Sequence, residues 1–156
     1  MNAYFAGGCF WCITPTFKEI DGVQNVISGY CGGHKINPTY EEVKSQNTGH
    51  RETIKIEYDE TKVNFETLLD IFFDSVDLTD SGGQYIDRGH SYTLAVYYID
   101  DSQKEIVENK LSKYEDKVCV EVEKFSVFYK AEEYHQDYYI KNPEAFEKEL
   151  KESGRK

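Results

Sequence analysis

The sequence predicts an α+β fold, a single layer of mixed β-sheet with helices packed on it. Three observations point there. Strand-like and helix-like patterns alternate along the whole chain. The segment Glu52–Tyr58 alternates with period two, the clearest strand signal present. Phe65, Leu68, Leu69, Phe72, Phe73 and Val76 fall at helical spacing along one face, behind Asn64 as a cap. No repeat, low-complexity tract or linker interrupts the 156 residues, so one domain over 1–156 is expected, with a core of its own.

The elements follow in order. Ala3–Ala6 is a short apolar strand that ends in Gly7-Gly8, and a helix opens at or just after Cys9. Val23–Tyr30 reads as a second strand, and Cys31–Pro38 as a loop rich in turn formers. Thr39–Val43 is a short helical turn before the alternating strand. After the helix that Asn64 caps, Asp77–Ser91 is irregular and glycine-bearing; a loop of that length in a compact domain is usually functional. Tyr92–Ile99 is a strand, and Ser102 with Glu105 forms a capping-box pattern for a helix to about Tyr114. Val118–Phe125 is a strand, Ala131–Tyr139 is helical in pattern, and Asn142-Pro143 starts a last helix with Gly154 as its stop.

Composition narrows the function classes. A net charge of −11 argues against nucleic acid and anionic membrane as partners. No apolar run is long enough for a transmembrane helix, and the N-terminus does not resemble a secretory signal. With 13 Tyr, 9 Phe and 1 Trp, the chain has large apolar rings for a core and hydroxyls for a pocket. Four cysteines are too few for a disulfide scaffold, so the cytoplasm is expected, with the thiols reduced.

The cysteines admit several readings. A cysteine at a helix start meets unpaired N–H groups and the positive dipole end, which favour thiolate; Cys9 is therefore a candidate nucleophile. Cys9, Cys12, Cys31 and His34 form two ligand pairs with zinc-knuckle spacing, the pattern of a zinc-binding module. Cys9-Phe10-Trp11-Cys12 also has the spacing of a dithiol oxidoreductase. Cys119, between valines on an expected strand, reads as a small buried hydrophobe.

Five motifs in order carry a resemblance. Gly7-Gly8-Cys9-Phe10-Trp11, Gly29-Tyr30-x-Gly32-Gly33, Asn37-Pro38-Thr39-Tyr40-x-Glu42-Val43, Thr48-Gly49-His50 and Ala131-Glu132-x-Tyr134-His135-Gln136-Asp137-Tyr138-Tyr139 together resemble the type A peptide methionine sulfoxide reductases. The likeness runs from about Tyr4 to Pro143, leaving 144–156 as a terminal helix and tail.

The resemblance implies a ferredoxin-like core and thiol-dependent reduction of methionine S-sulfoxide, free or in proteins, through a cysteine sulfenic acid. It makes Cys9 the nucleophile, Glu42 the proton donor, and Tyr30 and Tyr92 the hydroxyls that hold the sulfoxide oxygen. Phe10 and Trp11 become the wall for the substrate methyl group, and Asp87 orients substrate or water. No metal or organic cofactor is implied, only an external thiol from thioredoxin or from glutaredoxin with glutathione. The chemistry fits these residue types, because a thiolate attacks a sulfoxide sulfur only as the oxygen is protonated. Relatives often carry resolving cysteines in a C-terminal tail. This chain has no cysteine after Cys119, which leaves Cys12 and Cys31 as candidate resolving thiols.

Overall fold

The computed structural model describes residues 1–114 and 117–153. In chain order it runs β1 (Asn2–Gly7), α1 (Phe10–Lys18), β2 (Val23–Cys31), α2 (Tyr40–Lys44), β3 (Arg51–Tyr58) and α3 (Phe65–Asp74). Then come the two-residue strands β4 (Gly83–Gln84) and β5 (Asp87–Arg88), a 3-10 turn at His90–Tyr92, β6 (Leu94–Tyr98), α4 (Asp101–Leu111), β7 (Val120–Lys124) and β8 (Phe128–Lys130). A second 3-10 turn at Glu133–His135, α5 (Tyr138–Lys141) and α6 (Pro143–Ser153) follow. Gly154, the expected stop of the last helix, lies outside the described residues.

Six strands make one sheet in the order β7-β6-β1-β3-β2-β8. Every neighbouring pair is antiparallel except β6 with β7, so the sheet is mixed, as expected. Its central four strands with α1 and α3 form the β1-α1-β2-β3-α3-β6 arrangement, order β6-β1-β3-β2, of a ferredoxin-like core.

Period-two alternation sorts side chains between the two faces. Ala3, Phe5, Val26, Tyr30, Ile54, Ile56, Leu94 and Val96 face the helices and join Phe10, Phe17, Leu68, Leu69, Phe72 and Val107 in the main core. Tyr4, Ala6, Cys31, Ala95 and Tyr97 face the other way, where Phe125 and Phe128 cover them. The α3 stripe is buried at Phe65, Leu68, Leu69, Phe72 and Phe73, and Asn64 accepts a hydrogen bond from the Thr67 N–H at 2.8 Å. Burying each of those large side chains stabilises the fold by about 1.5–3 kcal/mol.

Some boundaries differ from the sequence expectation. The cap of α4 is Asp100, whose carboxylate takes the Gln103 N–H, rather than Ser102 with Glu105. Ala131–Tyr139 is not one helix, because Asp137 adopts φ +52 and breaks the run into the 3-10 turn and α5. Tyr92 sits in the turn before β6, so its side chain is aimed by the loop.

Candidate active site

β1 delivers the chain to its first helix through two glycines. A Cβ on Gly7 would lie 2.7 Å from Phe72 Cε1, so β1 and α3 pack this closely only with glycine here. Gly8 has φ +87, a conformation L side chains resist, and it turns the chain so that Cys9 becomes the N-cap of α1. Cys9 is buried, 5% exposed, and its side chain makes no capping bond.

One N–H group at that helix end is met from β3. The Phe10 N–H donates to Glu52 Oε1 at 3.2 Å. Glu52 is 1% exposed, because it shares the inward register of Ile54, Ile56 and Tyr58. Burial is the largest influence on its carboxyl; it outweighs the bonds from Phe10 and Tyr92 and, with Asp87 and Cys12 nearby, pushes the pKa up to about 8. Glu52 therefore holds its proton near neutral pH.

Cys9, Cys12, Glu52, Asp87 and Tyr92 are close enough to perturb one another, and Tyr40 adds to the surroundings of Tyr92. The Cys9 thiol is held well above its ordinary range, first by its hydrogen bond with Cys12, then by burial and the nearby Glu52 and Asp87 carboxyls. This runs against the expectation of a resting thiolate, since Cys12, burial and the two carboxyls all favour the thiol. Burial, then Glu52, raises the Tyr92 phenol as well.

The loop that brings Asp87 and Tyr92 is pinned rather than loose. Gln84 pairs with Asp87 across a two-residue ladder, and its amide exchanges two 2.8 Å bonds with the Asp77 backbone. Arg88 grips Asp80 with two bonds of 2.6 and 2.7 Å. Gln46 holds Ser91 through its hydroxyl and its N–H, at 2.8 and 2.9 Å.

An aromatic wall stands beside the thiol. Phe10 is fully buried, and Trp11 stacks on Tyr138 at 4.0 Å and on Tyr40 at 6.0 Å. Trp11 Nε1–H donates to His135 Nδ1 at 3.0 Å, which fixes the indole plane. Burial pulls His135 down to about 4, so it is neutral and can accept that bond.

Of the expected residues, Cys9, Tyr92, Asp87, Phe10, Trp11 and Cys12 thus come together, and Tyr30 borders them, its ring 5.9 Å from that of Phe10 and its phenol perturbed by Glu52. Glu42 and Cys31 do not fit. Glu42 is a half-exposed member of the α2 capping box with Thr39 and pairs with Lys35 at 3.2 Å. Its Thr39 backbone bond and Lys35 hold its pKa low, the opposite of what a proton donor needs. Tyr30 is fully buried and gives its hydroxyl to Glu132 Oε1 at 2.9 Å. Cys31, next to Tyr30 on β2, necessarily points to the opposite sheet face, where burial pushes it up to about 12. With Cys31 there, the Cys9, Cys12, Cys31 and His34 zinc set cannot close. Among the described residues, no group of three or more His, Cys, Asp or Glu is placed to hold a metal ion.

Sequence reasoning missed Glu52 and Tyr40. For Glu52 a signal was present, since extending the inward register of Ile54 and Ile56 by one more step puts a carboxyl in the core. Tyr40 lies inside a quoted motif, and only the packing of Phe10 and Trp11 against it brings it to the site.

The model of the family described as "Peptide methionine sulfoxide reductase" matches residues 1–156. Peptide methionine sulfoxide reductase MsrA of Bacillus subtilis is 45% identical over 159 residues, covering 98% of this chain and 90% of that protein. The MsrA of Streptococcus uberis is 43% identical over 157 residues, covering 97% and 93%. Among solved structures, reduced Mxr1 from Saccharomyces cerevisiae superposes with TM-score 0.84 at 28% identity, covering 92% of this chain and 86% of that one. Methionine sulfoxide reductase A of Corynebacterium diphtheriae gives TM-score 0.82 at 31% identity, covering 91% and 74%.

Proposed function

Because the chain belongs to the peptide methionine sulfoxide reductase family, we propose that it reduces methionine sulfoxide, in proteins or free, at the expense of thiols. The observation that carries this reading is a buried carboxyl, Glu52, raised to about 8 beside the Cys9 thiol at a helix N-terminus. That pairing suits a reaction in which sulfur is attacked while oxygen is protonated.

In this reading Cys9 sulfur attacks the sulfoxide sulfur, and Glu52 gives its proton to the sulfoxide oxygen. The hydroxyl then passes to Cys9 sulfur, forming a new S–O bond, while the substrate S–O bond and the bond between the two sulfurs both break; the thioether leaves as methionine and Cys9 is left as a sulfenic acid. The Cys9 thiol proton replaces the one Glu52 gave, so atoms balance. Tyr92, bonded to Glu52 and close to Tyr40, supplies a hydroxyl for the same oxygen. Phe10 and Trp11 receive the methyl group, and Asp87 orients the substrate. The S-epimer is the expected substrate. A thiol then reduces the sulfenic acid, with thioredoxin, or glutaredoxin with glutathione, as the external source and no metal or organic cofactor. Four free cysteines suit the reducing cytoplasm as its place of work.

The test uses separated epimers of a methionine sulfoxide peptide with excess dithiothreitol, and methionine formation is measured. Cys9→Ser is expected to abolish turnover, and Glu52→Gln to slow it about 10²- to 10⁴-fold. Turnover by Cys9→Ser, or equal rates on both epimers, overturns the reading.

A further inference from the structure

We propose that Tyr134 forms a subsite for an arginine or lysine side chain next to the oxidised methionine, so that the preferred substrates are polypeptides with a basic residue beside methionine sulfoxide. This rests on the reading above and goes further, because it names which sulfoxides are taken first.

Tyr134 is a large ring left 56% exposed at the edge of the aromatic wall. A single exposed ring is ordinary on a protein surface. This one is continuous with the site. It packs on His135 at 4.0 Å, and His135 packs on Tyr40 at 4.3 Å and on Trp11 at 5.4 Å. The wall therefore runs from fully buried Phe10 through Trp11 and His135 out to Tyr134. Those spacings put Tyr134 within about 10 Å of Trp11. A residue adjacent to the sulfoxide starts about 3.8 Å along the chain, and a lysine or arginine side chain spans the rest.

The ring stands on a rigid ledge. Tyr134 lies in the 3-10 turn Glu133–His135, which is anchored on both sides. After it, the Gln136 amide exchanges two 2.9 Å bonds with the Ser28 backbone of β2 and donates to the Ala131 carbonyl at 3.0 Å. Before it, Glu132 accepts from the Tyr30 hydroxyl at 2.9 Å and the Tyr40 N–H at 3.0 Å. The ledge is thus in place before substrate arrives, which lowers the cost of binding.

The surroundings of the ring favour a cation. The bonds to Glu132 outweigh its burial and hold its pKa low, so it is a carboxylate. Partial burial, then Glu132 and Glu41, raises the Tyr134 phenol, so both carboxyl groups lie close to it. His135 beneath the ring is neutral and repels no cation. The lysines nearby are engaged elsewhere. Lys130 and Lys141 reach Glu133 at 3.9 and 3.4 Å, and Lys44 Nζ stands 5.8 Å from the Tyr40 ring centre. Among the described residues, no lysine or arginine covers the Tyr134 ring. An aromatic face with carboxylates at its edge and no cation of its own attracts a guanidinium or ammonium group from a ligand. A flanking aspartate or glutamate would meet like charge.

The experiment compares two capped tripeptides, acetyl-Arg-Met sulfoxide-Arg-amide and its citrulline counterpart, which keeps the shape and removes the charge. Both carry the S-epimer, and kcat/KM is measured for each with excess dithiothreitol, alongside acetyl-methionine sulfoxide. Wild type is expected to favour arginine over citrulline by at least about 2-fold. Tyr134→Leu is expected to lower that ratio by about 2- to 5-fold, the worth of an exposed cation–π contact. Tyr134→Phe keeps the ring and is expected to retain the ratio. The two peptides share one chemical step, so general damage to a variant cancels between them. A wild-type ratio of one overturns the proposal and leaves the reductase reading standing. So does a preference that Tyr134→Leu leaves intact, which would come from the net charge of −11 rather than from this ring. Loss of the preference in Tyr134→Phe overturns it too, because the hydroxyl and not the aromatic face would then be responsible. No turnover of any of the three sulfoxides by wild type defeats both readings.

Discussion

Replacing Glu52 by glutamine should make the protein more stable near and above neutral pH while disabling it. An unfolded glutamate has a pKa of about 4.3, whereas burial raises folded Glu52 to about 8. Between those values the unfolded chain has released the proton and the folded chain still holds it. Stability therefore falls as pH rises, by about 1.4 kcal/mol per pH unit from this group. The cost accumulated by pH 7 is about 3–4 kcal/mol, approaching 5 at pH 8. Glutamine cannot ionise, and its carbonyl can still accept the Phe10 N–H bond that Glu52 Oε1 takes at 3.2 Å. Wild type and Glu52→Gln should thus differ little at pH 4, and the variant should lead by about 3 kcal/mol at pH 7. Urea unfolding at a series of pH values, read as midpoint times slope, measures this. A stability difference that is independent of pH, or a variant weaker than wild type at pH 8, would refute the buried, protonated carboxyl.

The remaining expectations concern neighbours of the site. Glu42→Gln should leave methionine formation unchanged in the dithiothreitol assay, because that carboxylate is engaged with Thr39 and Lys35; a loss like that of Glu52→Gln would restore Glu42 as the acid. Tyr30→Phe removes the bond to Glu132 and should cost about 1.5–3 kcal/mol in urea unfolding, the range for bonds to charged groups, with little change in substrate affinity. Tyr92→Phe should do the reverse, lowering the rate far more than stability. Gly7→Ala should destabilise by about 1–3 kcal/mol, since its Cβ would press on Phe72 and move the turn that carries Cys9.

Periodicity was enough for the elements that carry large apolar faces. The α3 stripe and its Asn64 cap, the β3 alternation and the helix opening at Cys9 all follow from local chemistry, and each is where the pattern puts it. The C-terminal segment was less legible, because the break at Asp137 depends on a left-handed backbone that nothing in an Ala131–Tyr139 helical pattern announces. The site shows the same division. Cys9, Phe10 and Trp11 are contiguous and came as a unit. Glu52 and Glu42 lie ten residues apart, both close to recognisable motifs; the inward register of β3 buries Glu52, whereas the capping box of α2 keeps Glu42 at the surface. Tyr30 and Cys31 are adjacent in sequence, and the same alternation sends them to opposite sides of the sheet.

Trp11 is the only tryptophan in a chain with 13 tyrosines. Its indole stacks against Tyr40 and Tyr138 and is tied to His135. The protein therefore carries a built-in optical reporter. Selectively excited emission comes from one ring, and the proposed function places the substrate methyl group against that ring. Binding and the chemical step should each leave a separate fluorescence transient in a stopped-flow trace, with no label attached.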